Sequence, residues 1–560
     1  MKTFKLFLLL AIQMVWCSNN IHAQQWGDYI LYSTQNSTTT TLLDTNRTLF
    51  KTWSHVGYKT GYSSYLSPGG YLYKTIAKSG VSFTGGPICG QIIKMDWAGN
   101  IVWDYTYSTT DYCSHHDFHV MPNGNVLLIA YERHTAAEVA AMGGSFSGEV
   151  WSEHVAEIKQ TGPTTGEVVW KWRVWDHMLQ NTDASKPNYY AAALDHPELL
   201  NINYNLKKDW IHMNGIDYNP ITDQIAVSSH NLNEWYIIDH STTTEEAASH
   251  VGGLSGKGGD ILFRWGNPAA YGATGTTILN VTHDAHWIPE GTPNAGRLVG
   301  FNNKGVSSTK SSVDQIILPS NGYNFDRTAG QAFAPSTYTE RHASSGYTSN
   351  MGNSQQLPNG NMLVCLALSG VVYEINAAGT QLWSKTMGGS TSQAFKYEKC
   401  YVENAAPSQP TITRDGSILQ ASTASSYQWY KNGVLIDGAN QQSYTPTENA
   451  VYLVRIKDAN ACFNVYSSSY KYAATPTGIL DELKLQELKV YPNPSTGLFN
   501  LEVDGLNDYH VMVFAMNGEL VYDAVNSKEF DLSSLSNGVY FLHVSAENKI
   551  SVTKKLVISK

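Results

Sequence analysis

Charge is scarce in this chain. Asp, Glu, Lys and Arg make up 15% of its 560 residues, well under the roughly 25% of ordinary soluble domains. The net charge is −10, which excludes the concentrated basic face that nucleic-acid binding requires. Cysteine is sparse too: there are six, none in a CxxC pair, so a thiolate zinc site is excluded. No glycine-rich loop of the phosphate-cradling kind is present. Long apolar runs are missing apart from Leu6 to Cys17, which is too short to span a bilayer. With Lys2 and Lys5 before it and Ala23 after it, that run predicts a secretory signal peptide over residues 1–23 and an exported mature chain. Export permits disulfides. Cys89 with Cys113, and Cys365 with Cys400, are the expected pairs, which leaves Cys462 free.

What is abundant points to β structure. Aromatic residues reach 12%, with 34 Tyr, amid many Gly, Ser and Thr. One turn pattern recurs: HHDFHVMPNG from His115, IHMNGIDYNPIT from Ile211, HDAHWIPEG from His283 and SNMGNSQQLPNG from Ser349. GYSSYLSPGG from Gly61 has the same frame without histidine. Each is followed by a short apolar strand. His116 lies six residues before Pro122, Asn214 six before Pro220 and His283 six before Pro289. A repeated unit that sets His or Asn at one edge of successive sheets predicts a propeller with those side chains converging on its axis. A second repeat, QIIKMDWAGNIVWDY, AEIKQTGPTTGEVVWKW, GGDILFRWGNP and VVYEINAAGTQLWSK, reads as outer hairpins ending in Trp. The segment from Leu31 to Trp53 is a more degenerate copy. Two insertions break the pattern, one near ERHTAAEVAAMGGSFSG with a short helix expected, the other from Met178 to Asp209. Long insertions on a rigid scaffold usually cover a binding face.

The expected fold is therefore all-β: a six-bladed β-propeller over 24–404, a small Ig-like β-sandwich over 405–472 acting as a spacer, and a C-terminal β-sandwich over 485–560.

Most of the 18 histidines have structural or surface roles by default; His177 and His250 are among these. His116, His212 and His283 differ because the repeat carries them to one place. Three chemistries suit such a cluster: a metal site, a sugar site built on Tyr and Trp platforms, or nucleophilic catalysis by imidazole. His283 and His286 are three residues apart in extended chain and face opposite ways, which weakens a metal reading; no metal and no cofactor is expected there.

The set HHDF…PNGN, DWIHMNGIDYNPITDQIAVSS, NEWYIIDHS, GGDILFRWGNP and HDAHWIPEG resembles the bacterial arylsulfate sulfotransferase family, in order and across nearly the whole propeller region. The resemblance implies a six-bladed propeller. It also implies transfer of a sulfuryl group from a phenolic sulfate donor to a phenol acceptor without a nucleotide sulfate. By residue, it assigns His283 of the HDA motif as the nucleophile that becomes sulfurylated in a ping-pong cycle. His212 and His116 become acid–base candidates, and Asn214 a ligand of the sulfuryl oxygens. Where the family has arginine in an SSR motif, this chain has SSH, placing His230 there. A histidine that loses its charge would grip the sulfuryl group less as pH rises. The alternatives are an aryl sulfate hydrolase using the same histidine and a non-catalytic surface propeller binding sulfated or glycan ligands. The YPNPSTG segment from Tyr491, the NGVYFLHV strand and the terminal KKLVISK resemble the type IX secretion C-terminal sorting domain. That implies the type IX machinery as partner and a secreted or cell-surface destination, with no stable membrane span.

Overall fold

The computed structural model describes residues 26–457, 462–473, 488–502, 509–516, 518–546 and 549–560; the expected signal peptide lies outside them. Residues 29–397 form six four-stranded antiparallel sheets. Their innermost strands are β1 (Thr60–Ser67), β2 (Tyr112–Val120), β3 (Met213–Asn219), β4 (Thr282–Trp287), β5 (Asn353–Gln356) and β6 (Thr391–Tyr397). Each packs on the next, and β6 packs on β1, so the six close into a ring. β6 pairs with Tyr29–Thr34 from the other end of the region. The segment read as a degenerate copy thus supplies the outer three strands of the closing sheet, joining the ends of the ring non-locally.

Burial follows position in the ring. β1 and β2 are buried along most of their length, because a sheet flanks each of their faces. The outermost strands Leu49–Ser54 and Gln381–Thr386 alternate with exposed residues. Trp53, Trp103, Trp172 and Trp235 are fully buried; losing such a side chain typically costs about 3–5 kcal/mol. The outer hairpins Gly90–Met95/Ile101–Thr106, Val150–Gln160/Gly166–Arg173 and Val371–Ile375/Gln381–Thr386 form as expected. GGDILFRWGNP does not form a hairpin. It contributes one edge strand, Phe263–Trp265, which pairs with Glu234–Asp239, because residues 240–262 form a long loop with a short helix. The helix expected in the first insertion is Ala136–Ala141, started by a Thr135/Glu138 capping box.

The cysteine pairing differs from expectation. The disulfide joins Cys400 to Cys462, while Cys89, Cys113 and Cys365 are free and buried. Spacing along a hairpin suggested the local pairs, but each of those thiols is taken up in a core. Cys89 and Cys365 approach backbone carbonyls instead, of His116 and Thr391. The real bridge ties the helix Lys399–Glu403 to the Ig-like sandwich, whose core holds Leu419, Trp429, Tyr452 and Val454. That sandwich also contacts the ring: Glu290, in the turn after β4, pairs with Arg455 at 2.7 Å and accepts hydrogen bonds from Tyr430 and Tyr466. The described residues up to Tyr472 belong to one compact unit. The second unit is a sandwich of two antiparallel sheets around Phe499, Val511, Val513, Leu542, Val544 and Leu556.

Candidate active site

The recurring turn is a recurring backbone irregularity. Pairing shifts register between Thr60 and Ser64 in β1, Ser114 and Phe118 in β2, Met213 and Gly215 in β3, and His283 and His286 in β4. Such bulges re-aim side chains at the end of a strand. Left-handed backbone accompanies them at His116 (φ 50°), His212 (φ 56°), Asp284 (φ 59°) and Met351 (φ 55°). Holding a non-glycine residue there costs about 1–2 kcal/mol, and strain of this kind collects at functional sites. At Gly215 a Cβ would lie 2.8 Å from the Asp284 nitrogen and 2.8 Å from Ser228 Oγ, so β3 and β4 meet as closely as they do only because that residue has no side chain.

Three histidines on these turns are joined by His230, which directly follows the strand Gln224–Ser229. The ring of His116 lies 4.7 Å from that of His212, His212 4.9 Å from His230, and His230 5.6 Å from His283. Asn214 is not on this chain of rings. Its Nδ2 donates to the Thr282 carbonyl at 2.8 Å and its Oδ1 accepts from Ser228, clasping β3 to the residue before His283. His286 faces away, toward the carboxylate of Asp284, in line with its spacing from His283.

Partners that the repeat did not reveal set the state of each ring. Asn303 donates Nδ2 to the carbonyls of Thr348 and Met351. Its Oδ1 is thereby turned to His283 Nδ1 at 2.7 Å, which makes Nδ1 the protonated nitrogen. His283 Nε2 then carries the lone pair, and the Met351 N–H donates to it at 3.1 Å. Burial, and then the neighbouring His230, hold the His283 pKa well below the usual imidazole value, so the ring stays neutral. His212 Nδ1 faces Asp209 Oδ2 at 2.6 Å, with the Tyr131 hydroxyl 3.2 Å away. His115 and His116 share a hydrogen bond between their Nδ1 atoms at 2.7 Å, and burial pushes both pKa values well down. Tyr62 of β1 packs its ring 5.1 Å from His116, and its buried hydroxyl has no hydrogen-bond partner among the described residues. Asp209 ends the Met178–Asp209 insertion and Asn303 sits outside every quoted motif, so neither carried a periodic signal. Tyr62 did: it occupies the histidine-free copy of the repeat.

Burial, and then His212, bring the His230 pKa down to about 4. This corrects the pH expectation: His230 loses its charge on the acid side, not on going from neutral to alkaline solution.

A closed ring of β sheets with a neutral, oriented imidazole on its innermost strands defines a β-propeller with a buried histidine cluster. The chain belongs to the arylsulfotransferase family: the family profile described as Arylsulfotransferase (ASST) matches residues 44–405. It is accordingly a sulfotransferase. A secretion system C-terminal sorting domain matches residues 489–559, which marks the protein for type IX export, to the cell surface or beyond. No helix among the described residues is long and apolar enough to cross a membrane. No curated protein sequence matches the chain significantly. Several solved structures show distant similarity. A Bacteroides caccae protein of unknown function is 11% identical, with 66% of this chain and 98% of that one covered and a TM-score of 0.39. A Lactobacillus plantarum protein is 11% identical over 80% and 97%, with a TM-score of 0.34. A Myceliophteria thermophila β-propeller domain is 8% identical over 71% and 93%, with a TM-score of 0.32.

Proposed function

We propose that this arylsulfotransferase works by a two-step, ping-pong transfer through His283, on a six-bladed propeller in which each four-stranded sheet is one blade. The observation that carries the reading is the clamp of Asn303 on His283. It fixes the tautomer whose Nε2 lone pair is unprotonated and aimed away from the Asn303 contact. In the first step the Met351 N–H releases that lone pair and turns to a sulfuryl oxygen, and the lone pair attacks sulfur of a phenolic sulfate ester. The bond from sulfur to the aryl oxygen breaks and the phenolate leaves with the electron pair. The ring becomes a sulfuryl-imidazolium, and the Nδ1–H to Asn303 Oδ1 bond strengthens as positive charge develops. The acceptor phenol then attacks sulfur and restores neutral His283.

His212 is the acid–base group of this reading. Asp209 orients its Nδ1–H and stabilises the imidazolium, leaving Nε2 to give a proton to the leaving phenolate and to take one from the acceptor. His116, held neutral beside His115, suits a hydrogen-bonding role more than proton transfer. Asn214 retains an amide hydrogen beyond its bond to Thr282, and His230, Tyr62 and the Met351 N–H are the further groups we assign to the sulfuryl oxygens and the phenol ring. The sulfuryl group carries dispersed negative charge, and oriented neutral donors stabilise it without the arginine of the family motif. The domain reading accompanies this: signal peptide 1–23, propeller 24–404, Ig-like sandwich 405–472 and sorting domain 485–560.

The test is trapping. With 4-nitrophenyl sulfate and no acceptor, the full protein forms nitrophenolate in a burst of one equivalent and gains the mass of one SO3 on the peptide containing His283. A label on another residue overturns the assignment.

A further inference from the structure

Away from the histidine cluster, His177, His250 and Asp260 bring one ligand atom each within 4.8 Å of one another. His177 follows the short 3-10 turn Val174–Asp176, and the other two lie in the loop of residues 240–262. His177 is fully buried and Asp260 nearly so, whereas the His250 side chain is 59% exposed, so the group opens to solvent on one side. The tautomer of His177 is set by its far side. Nε2 lies 2.8 Å from the Ala247 carbonyl, which can only accept, so Nε2 carries the hydrogen. Nδ1 is left pointing its lone pair at Asp260 Oδ1, 3.0 Å away. His250 Nδ1 approaches the same oxygen at 2.7 Å. Two imidazole nitrogens and a carboxylate oxygen facing one point need a positive charge between them.

We propose that His177, His250 and Asp260 form a zinc site. Two imidazole nitrogens and a carboxylate are a common zinc donor set, with the fourth, solvent-side position left for water. A buried histidine that donates its other ring N–H to a backbone carbonyl is the usual support of a metal ligand. Opening the contacts by a few tenths of an ångström gives the roughly 3.3 Å spacing around a tetrahedral ion with bonds of about 2.0–2.1 Å. The loop is shaped for the approach: at Gly259 a Cβ would lie 2.0 Å from the Ala247 carbonyl and 2.5 Å from His177 Nε2. The ion would fasten this loop to the base of the Met178–Asp209 insertion, where Leu200 N–H bonds to the His177 carbonyl and Ile261 N–H to that of Glu198.

The test is zinc titration of the chelator-treated full-length protein, followed by calorimetry and thermal melting. The expected result is one equivalent bound and a raised Tm. The exposed His250→Ala should weaken binding by at least about tenfold and abolish the Tm shift, and Asp260→Asn should do the same. His283→Ala should bind zinc unchanged. Absence of stoichiometric binding would overturn the proposal and leave a protonated histidine–aspartate contact only. So would binding that survives His250→Ala but is lost in His283→Ala, which would place the ion in the central cluster.

Discussion

The chemistry of single side chains here is set by what lies behind them. Three of the clustered histidines were visible in the sequence because the repeat puts them at one strand edge: His116 and His283 six residues before a turn proline, and His212 two residues ahead of Asn214, which holds that position in its own turn. Their protonation was not visible, since Asn303 and Tyr131 approach from other parts of the chain and Asp209, though only three residues before His212, belongs to no repeated position. His283→Ala should lower kcat by at least about a thousandfold. Asn303→Ala should lower kcat about a hundredfold with little change in KM, because it frees the ring tautomer without touching the phenol; a KM effect alone would refute the clamp. His212→Gln should cost about a hundredfold or more with poor leaving groups, and less with 4-nitrophenyl sulfate, whose phenolate needs little proton assistance. As His230 titrates near 4, His230→Arg should leave the shape of the pH–rate profile between about pH 6 and 8 unchanged. A new break in that range would show that His230 carries charge there.

At the scale of elements, the strands were legible and their special points were not. Apolar runs after each turn marked the second strand in five of the six sheets of the ring, and Trp-ended hairpins marked most outer pairs. The bulges beneath His116, His212 and His283 arise from the fit between neighbouring sheets, which no local pattern records. Gly215→Ala tests this fit: its methyl would press on the Asp284 backbone, and activity should fall more than stability. The Cys400–Cys462 bridge escaped notice because it spans 62 residues and links two folded parts, whereas the nearer cysteines drew attention by spacing alone. Cys400→Ser should destabilise the first unit by about 2–4 kcal/mol in denaturant titration; an unchanged midpoint would mean the Glu290 contacts alone hold the Ig-like sandwich.

For the whole molecule, buried histidines define a pH window. In His115, His116 and His283 burial holds the pKa well below 6.5, and in His134 and His230 it falls to about 4. The unfolded chain binds protons at these positions before the folded one does. Their stabilising contribution is therefore present above pH 6.5 and is lost as the pH falls toward 4. His240, between Asp223 and Glu157, and His286, beside Asp284, are raised to about 9. Their contribution is present below pH 6.5 and lost as the pH rises through 9. Thermal melts should give a stability maximum between these limits, falling steeply on the acid side; a flat profile from about pH 4 to 7 would contradict the buried-neutral state of the cluster. The ring closure between β6 and Tyr29–Thr34 was beyond sequence reading, since it pairs strands from opposite ends of the propeller region.

Transfer through His283 is tested most directly by release of nitrophenolate from 4-nitrophenyl sulfate by the full protein, with and without added phenol, beside His283→Ala. Steady release is expected only with phenol, with sulfated phenol as the second product, and neither is expected in the variant. Steady release without acceptor, or turnover that survives in His283→Ala, would contradict transfer through this histidine.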